Sequence, residues 1–221
     1  MRQFVSLRLV AKYAIEHWTR LPVEVELASE FRYRDPVLDR STLVVAISQS
    51  GGETADTLEA VRHAKEQKAR VLAVCNTNGA QIPREADAVL YTRTGPEIGV
   101  ASTKAFLAQM AANLLVGLAL AQARGTKYPD EVAREYEDLA AMPERIAQLL
   151  TTMDPVRDLA RELSASPAVL FLGRHVGYPV ALEGALKLKE LAYMHAEASR
   201  PVNSSTAPPS RSSRTVCPSS W

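Results

Sequence analysis

Glu183, Lys187 and Glu190 recur at i, i+4 and i+7, a spacing that sets all three on one face of a helix. A carboxylate on such a face can take a proton from one carbon and return it to the next. An amine held beside a carboxylate and partly withdrawn from water can attack a carbonyl as the free base. The same spacing also suits an exposed Glu–Lys–Glu ladder, where each pair contributes only about 0.3 kcal/mol. The residues between them, Ala181, Leu182, Ala185, Leu186 and Leu188, leave little polar surface, and Gly184 permits a close approach to whatever the helix packs on.

A second chemical grouping follows an apolar, β-branched run. Leu43-Val44-Val45-Ala46-Ile47 reads as a buried strand, and it empties at once into Ser48-Gln49-Ser50-Gly51-Gly52-Glu53-Thr54. A helix-like stretch, 55–68, comes next. The first N–H groups of such a helix have no intrahelical acceptor, and the helix dipole adds partial positive charge there. Hydroxyls from Ser48, Ser50 and Thr54 around one turn make either an anion site, most naturally for phosphate, or a hydroxyl-capped helix end without a ligand.

The elements that must carry these groups alternate. A helix is predicted over 10–19, a strand over 23–27, a loop or short helix over 28–34, then strand 43–47, helix 55–68, strands 71–76 and 88–92, and a long helix over 102–123. Alternation of this kind argues for an α/β chain with a parallel sheet covered on both faces. A charged helix over 130–150 and a linker at 151–155 precede helix 156–165, strand 168–173 and helix 178–195, which repeat the strand–loop–helix order. The boundaries expected are 9–150 for a first domain, 151–197 for the start of a second, and 198–221 for a Ser/Pro/Arg-rich tail whose composition reads as disordered.

Composition narrows the partners. At 47% hydrophobic and 23% charged residues, the 221-residue chain can bury a core, and its net charge of +1 gives no reason to expect nucleic acid or an anionic membrane as partner. Cys75 and Cys217 are far apart without metal-like spacing, which suits a reducing cytoplasm; Cys75 reads as a buried structural thiol. Neither metal nor redox cofactor is called for. No signal peptide is visible at the N-terminus. The apolar stretch 105–123 carries Gln109, Asn113 and Gln122, which suits a helix packed in protein rather than a membrane span.

The wording of four stretches carries a resemblance. Ala46-Ile47-Ser48-Gln49-Ser50-Gly51, continuing to Glu53-Thr54-Ala55-Asp56-Thr57, resembles the phosphosugar loop of the sugar-isomerase (SIS) domain. Together with the segments 26–34, 95–106 and 181–190 it resembles, more narrowly, the glutamine–fructose-6-phosphate aminotransferases, or glucosamine-6-phosphate synthases, from about Leu9 to Glu197. The resemblance implies SIS-type three-layer sandwiches, two of them in the family's isomerase half, with a glutamine-hydrolysing domain ahead of them that has no counterpart here. It implies that Ser48, Gln49, Ser50 and Thr54 hold the phosphate of a sugar phosphate (fructose-6-phosphate or glucose-6-phosphate) and that Val100 and Ser102 line the sugar site. Lys187 matches the residue implicated in a Schiff base with open-chain fructose-6-phosphate. Glu190 matches the proton carrier between C1 and C2, and Glu183 the residue that orients a catalytic histidine. Lys189 reads as a surface or subunit-contact residue, and His17, His63, His175 and His195 as structural. The family assembles as homodimers, for which 102–123 and 178–195 are the expected contact helices.

Three departures stand beside the likeness. The loop has two glycines, Gly51 and Gly52, where the family has one; the added residue must bulge the loop or turn the following helix start by about 100°. After Glu197 the likeness stops. Suitable codons for 197–208, regrouped with one G restored, spell the family's next motif, Glu-Gly-Phe-Ala-Ala-Gly-Glu-Leu-Lys-His-Gly-Pro, which holds the catalytic histidine. Codons for 214–221 regroup likewise into Asp-Gly-Leu-Pro-Val-Ile-Val. Residues 1–8 regroup by one base into Cys-Gly-Asn-Ser-Tyr-His-Ser-Gly, the family's first strand-end loop. Both ends therefore read as frame-displaced, a hypothesis the coding DNA decides. The expectation is an isomerase region without complete synthase activity, against the alternatives of a non-catalytic sugar-phosphate-binding SIS module and a pseudogene product that neither folds nor binds.

Overall fold

The computed structural model describes residues 3–52, 55–99, 101–200 and 215–216. The chain divides into two compact units, Met1–Gly117 and Leu118–Trp221. Helix α5 (Lys104–Ala123) runs across that division, whereas the sequence places the domain boundary at 150–151.

The first unit holds α1 (Gln3–Thr19), α2 (Ala28–Arg34), β1 (Leu43–Ser48), α3 (Ala55–Glu66), β2 (Arg70–Cys75), α4 (Gln81–Glu85), β3 (Ala88–Tyr91) and the first turns of α5. Its three strands are parallel in the order β1-β2-β3, with Ile47 beside Val74 and Val74 beside Leu90. Successive side chains of a strand point to opposite faces, so an apolar run feeds two cores. Ala46, Val71 and Ala73 meet Leu58, Val61 and Ala64 of α3 and Ile82 of α4 on one side. Ile47 and Val74 meet Leu7 of α1 and Ala112 of α5 on the other, with Phe106 and Met110 packed alongside. This is the three-layer α/β sandwich with a parallel sheet that the sequence implies. Cys75 is fully buried, and burial pushes its thiol pKa up, as befits a packing residue.

The predicted strand at 23–27 is not formed. Its backbone groups are taken up instead by one face of α1: Glu16 Oε1 accepts from Val23 N–H at 2.9 Å, Lys12 Nζ donates to Val23 O, and Arg8 Nη1 donates to Glu26 O at 3.1 Å. Arg8, Lys12 and Glu16 follow one another at four-residue steps, the spacing of a single helical face. Helix α1 also reaches further toward the N-terminus than predicted, and Ser6 and Leu7 are buried, so residues expected to be displaced from the family pattern pack into the unit.

The second unit holds α6 (Pro129–Ala140), α7 (Met142–Leu150), α8 (Asp154–Leu163), β4 (Ala168–Leu172), α9 (Gly177–Ala192), β5 (His195–Ser199) and β6 (Thr215–Val216). The one helix predicted over 130–150 is two, because Pro143 lacks the N–H needed to continue the ladder and instead sits in the first turn of α7. Strand β4 lies between β5 and β6, parallel to both. Ala198 and Ser199, expected in a disordered tail, pair with Phe171 and Leu172, and Thr215 and Val216 pair with Leu170 and Phe171. The rest of the tail, 201–214 and 217–221, lies outside the described residues. Helix α9 stops at Ala192 because Tyr193 turns to the left-handed region, φ 54°, and His195 opens β5 rather than ending the helix.

Helix α5 is the one described helix long and apolar enough to cross a membrane by length and composition. Within it Gln109 is wholly buried, and neither its amide oxygen nor its nitrogen has a hydrogen-bond partner among the described residues. Leaving such a group unmet costs about 1–3 kcal/mol. Gln109→Met, close in volume, is therefore expected to stabilise the chain by about 1 kcal/mol, read as a higher urea midpoint; a lower midpoint would show that the amide is in fact bonded.

Candidate functional site

At the carboxyl end of β1 the chain turns sharply through Ser48-Gln49-Ser50-Gly51-Gly52. Ser48 is 7% exposed, and its Oγ accepts the Gly51 N–H at 3.2 Å, closing the turn on itself. Gly51 has φ +72°, and a Cβ there would lie 2.9 Å from Ala80 Cβ, so this position admits no side chain. Gly51 O accepts from Ile82 N–H at 2.8 Å and Gln49 O from Asn76 N–H at 3.0 Å, which ties the turn to the β2–α4 connection. Gln49 and Ser50 are half-buried. Thr54 and Val100, expected in the phosphate and sugar subsites, lie outside the described residues, as does the outcome of the added glycine on residues 53–54.

The ends of β2 and β3 are gathered by one amide. Asn76 Oδ1 accepts from Thr92 Oγ1 at 3.1 Å and from Thr94 N–H at 2.9 Å, and Asn76 Nδ2 donates to Gly95 O at 2.6 Å. The loop it launches carries Glu97, whose Oε2 accepts from Ala105 N–H at 2.9 Å and from Ser102 Oγ at 3.4 Å, while Oε1 accepts from Thr103 Oγ1 at 3.3 Å. Ser102 is 5% exposed. Glu97 thus caps α5 from a distance, meeting a donor that the helix itself cannot. The Ala105 N–H bond, with those from Thr103 and Ser102, holds the Glu97 carboxyl below the usual carboxylate range.

In the second unit the three ionisable residues of α9 do share a face. Lys187 Nζ lies 2.9 Å from Glu183 Oε1 and 3.9 Å from Glu190 Oε2. Glu183 is buried and its Oε1, like Lys187 Nζ, is shut off from solvent; Glu190 is half-buried. The exposed ladder is therefore not what forms. The cause is Gly184: a Cβ there would lie 2.8 Å from Phe171 Cε1 of β4, so its absence lets the helix settle onto the sheet and draws Glu183 and Lys187 in with it. Lys189, by contrast, is exposed. Gly173 and Gly177 shape the turn into α9, since a Cβ at Gly173 would sit 2.0 Å from Gly177 O. Among the described residues no group of three His, Cys, Asp or Glu side chains is placed to hold a metal ion.

Two positioning residues escaped the sequence reading. Asn76 carries one faint signal, a lone amide at the end of a buried strand, and Glu97 lies within the segment 95–106 with nothing in its type or spacing to mark a role. Because the folded-state pKa of Glu97 is depressed, its stabilisation is present above the unfolded-state value and is lost as pH falls through the folded one. Glu97→Gln should lower the melting temperature at neutral pH and flatten its fall on acidification, the two melting curves converging at the acid end; parallel curves would refute the cap.

The SIS domain family model matches residues 9–119. Over 189 residues, 86% of this chain, the sequence is 84% identical to a glutamine–fructose-6-phosphate aminotransferase (isomerizing) of Mycolicibacterium paratuberculosis and covers 30% of that protein. It is 71% identical to the enzyme of the same name from Streptomyces coelicolor, again over 86% of this chain and 31% of the relative. The chain thus spans about 30% of the length of the curated relatives it matches. Among solved structures, the C-terminal domain of glucosamine-fructose-6-phosphate aminotransferase from Francisella tularensis superposes with a TM-score of 0.86 at 39% identity, over 90% of this chain and 56% of that one. With a matching family model over half its length and the parallel three-layer architecture of its first unit, this chain belongs to the SIS-domain family.

Proposed function

We propose that this chain binds a sugar phosphate, fructose-6-phosphate or glucose-6-phosphate, and is the isomerase region of a glucosamine-6-phosphate synthase that acts in a cytoplasmic setting as a homodimer. The observation that carries the reading is the water-shielded Lys187 ammonium lying against Glu183 and Glu190 in a chain 84% identical to an aminotransferase of that reaction. In the first unit, Ser48, Gln49, Ser50 and Thr54 receive the phosphate, with Val100 and Ser102 toward the sugar.

The chemistry assigned to α9 follows from what each group can do. Lys187, once it hands its proton to a neighbouring carboxylate, adds through Nζ to the C2 carbonyl of the open-chain ketose; loss of water leaves an imine. In the complete enzyme ammonia displaces Lys187 Nζ from that imine, and Glu190 then takes a proton from C1 and returns it to C2 of the ammonia-derived imine, which leaves an amino aldose and a free Lys187. Glu183 holds the amine in place at 2.9 Å and shields it from competing partners. In the complete enzyme ammonia from glutamine enters as the amino group of the product.

Borohydride reduction in the presence of fructose-6-phosphate, followed by peptide mass spectrometry, should find a covalent adduct on Lys187. Lys187→Arg keeps the ion pair with Glu183 and should abolish the adduct while fructose-6-phosphate still binds. Ser48→Ala should weaken that binding about tenfold, the scale of one hydrogen bond to a charged group. Binding without an adduct would make the chain a non-catalytic sugar-phosphate module, and no binding at all would overturn the reading.

A further inference from the structure

The loop 48–52 offers hydroxyls and N–H groups but no cation, although a sugar phosphate carries close to two negative charges. A cation stands beside it. Arg8 Nη2 donates to Ile47 O at 3.1 Å and Nη1 to Glu26 O at 3.1 Å. Thr42 O is turned toward β2 by its bond from Arg70 N–H, so alternation along the strand turns the carbonyls of 43, 45 and 47 to the edge of β1 that no described strand pairs with. The Arg8 guanidinium therefore lies on that edge, one peptide unit (about 3.8 Å of chain) before the Ser48 turn.

Among the described residues its charge is not otherwise answered. Lys12, the next residue on the same face of α1, is paired with Glu16 at 3.3 Å. The Glu26 carboxylate is held by Arg34 at 2.8 Å. Among the described residues no carboxylate comes within ion-pair distance of Arg8, which is half-buried. Desolvation by burial lowers its pKa to about 10. Stitching two carbonyls together needs only N–H donors, which a neutral amide would supply. The positive charge is surplus to that task, and a half-buried cation without a counter-charge favours an anion nearby.

We propose that Arg8 is a specificity-determining residue of the sugar-phosphate site, its guanidinium supplying the fixed positive charge that the Ser48–Gly52 turn lacks and so favouring phosphorylated over neutral ligands. The proposal rests on the phosphate being held at that turn. Two of the five guanidinium N–H groups are committed to carbonyls, which leaves others for a phosphate oxygen.

Calorimetric titration of the full chain with fructose-6-phosphate at two sodium chloride concentrations tests it. Wild-type affinity should fall several-fold on going from about 50 mM to about 500 mM salt. Arg8→Gln, which keeps donors but loses charge, should bind at least tenfold more weakly and respond little to salt, whereas Arg8→Lys should stay within about threefold of wild type. Arg8→Gln binding as wild type does, while Ser48→Ala loses affinity, would overturn the role of Arg8 and leave the phosphate turn standing. A change in melting temperature without a change in affinity would likewise reduce Arg8 to a structural stitch. If wild type does not bind, both readings fall. Should Arg8→Gln not fold, the wild-type salt dependence decides, since a salt-independent affinity contradicts a charge-borne contact.

Discussion

The first unit is shaped by the fact that its parallel strands bury side chains on both faces. Ala46 and Ile47, one residue apart, go to opposite cores, as do Ala73 and Val74. Such a sheet has no wet face, so polar groups collect where the strands end, and the chain must there satisfy the backbone groups that the ladder releases. Three strand ends solve this in sequence. The turn after β1 closes on Ser48 Oγ and leans on Asn76 N–H; Asn76 in turn holds the chain leaving β3; and that chain delivers Glu97 to the start of α5. Each link is a hydrogen bond between a loop and the next loop along the sheet. The hydroxyls of Ser48 and Ser102 are positioned by the same bonds that keep the backbone satisfied. A surface of hydroxyls at the end of a parallel sheet is in this sense a by-product of ending the strands properly.

The second unit buries its charged face differently, by a close approach of helix to strand. With any side chain at 184 the helix would have to stand off from Phe171, and the stripe of Glu183 and Lys187 would move toward water. Burial without an opposite charge would be costly for either residue, and the 2.9 Å separation is what makes it tolerable. The pair and the glycine therefore depend on one another. A spacing of i, i+4 brings the charges together, and the missing Cβ takes them out of solvent.

What the sequence disclosed was whatever local pattern controls. The β-branched runs at 43–47 and 71–75, the long apolar helix ending at Ala123 and the hydroxyl turn after Ile47 all state their own conformation, and the structure places them within a residue or two. Two kinds of feature were not legible. One is a segment whose conformation is set by a partner distant in sequence. Residues 23–27 have the composition of a strand, yet the side chains of Arg8, Lys12 and Glu16 meet their backbone before any strand does. Ala198, Ser199, Thr215 and Val216 have the composition of a disordered tail, yet β4 lies alongside. The other is a polar residue whose value lies in what it holds, as with Asn76 and Glu97, since neither type nor spacing reveals a bond from Asn76 across 16 or more residues or from Glu97 to an N–H eight residues on. The charged face at 183–190 was ambiguous for a related reason: the same letters describe a solvated ladder and a shielded amine, and the distance to Phe171 decides between them.

The paired glycines of the first turn show the same division between pattern and geometry. Read as letters, Gly51 and Gly52 are equivalent, and either could be the residue that the family pattern lacks. Their surroundings separate them. Gly51 has a positive φ, its N–H is bonded to Ser48 and its carbonyl receives Ile82 N–H, and a Cβ on it would strike Ala80. Gly52 has no positive φ, and a Cβ there would come no nearer than 3.3 Å, to Gln81 N, a tight contact that a small shift relieves. The obligatory glycine is Gly51, because it faces constraints of conformation and space at once. Gly52 is under neither constraint, and it follows the bonds that fix the turn to the sheet.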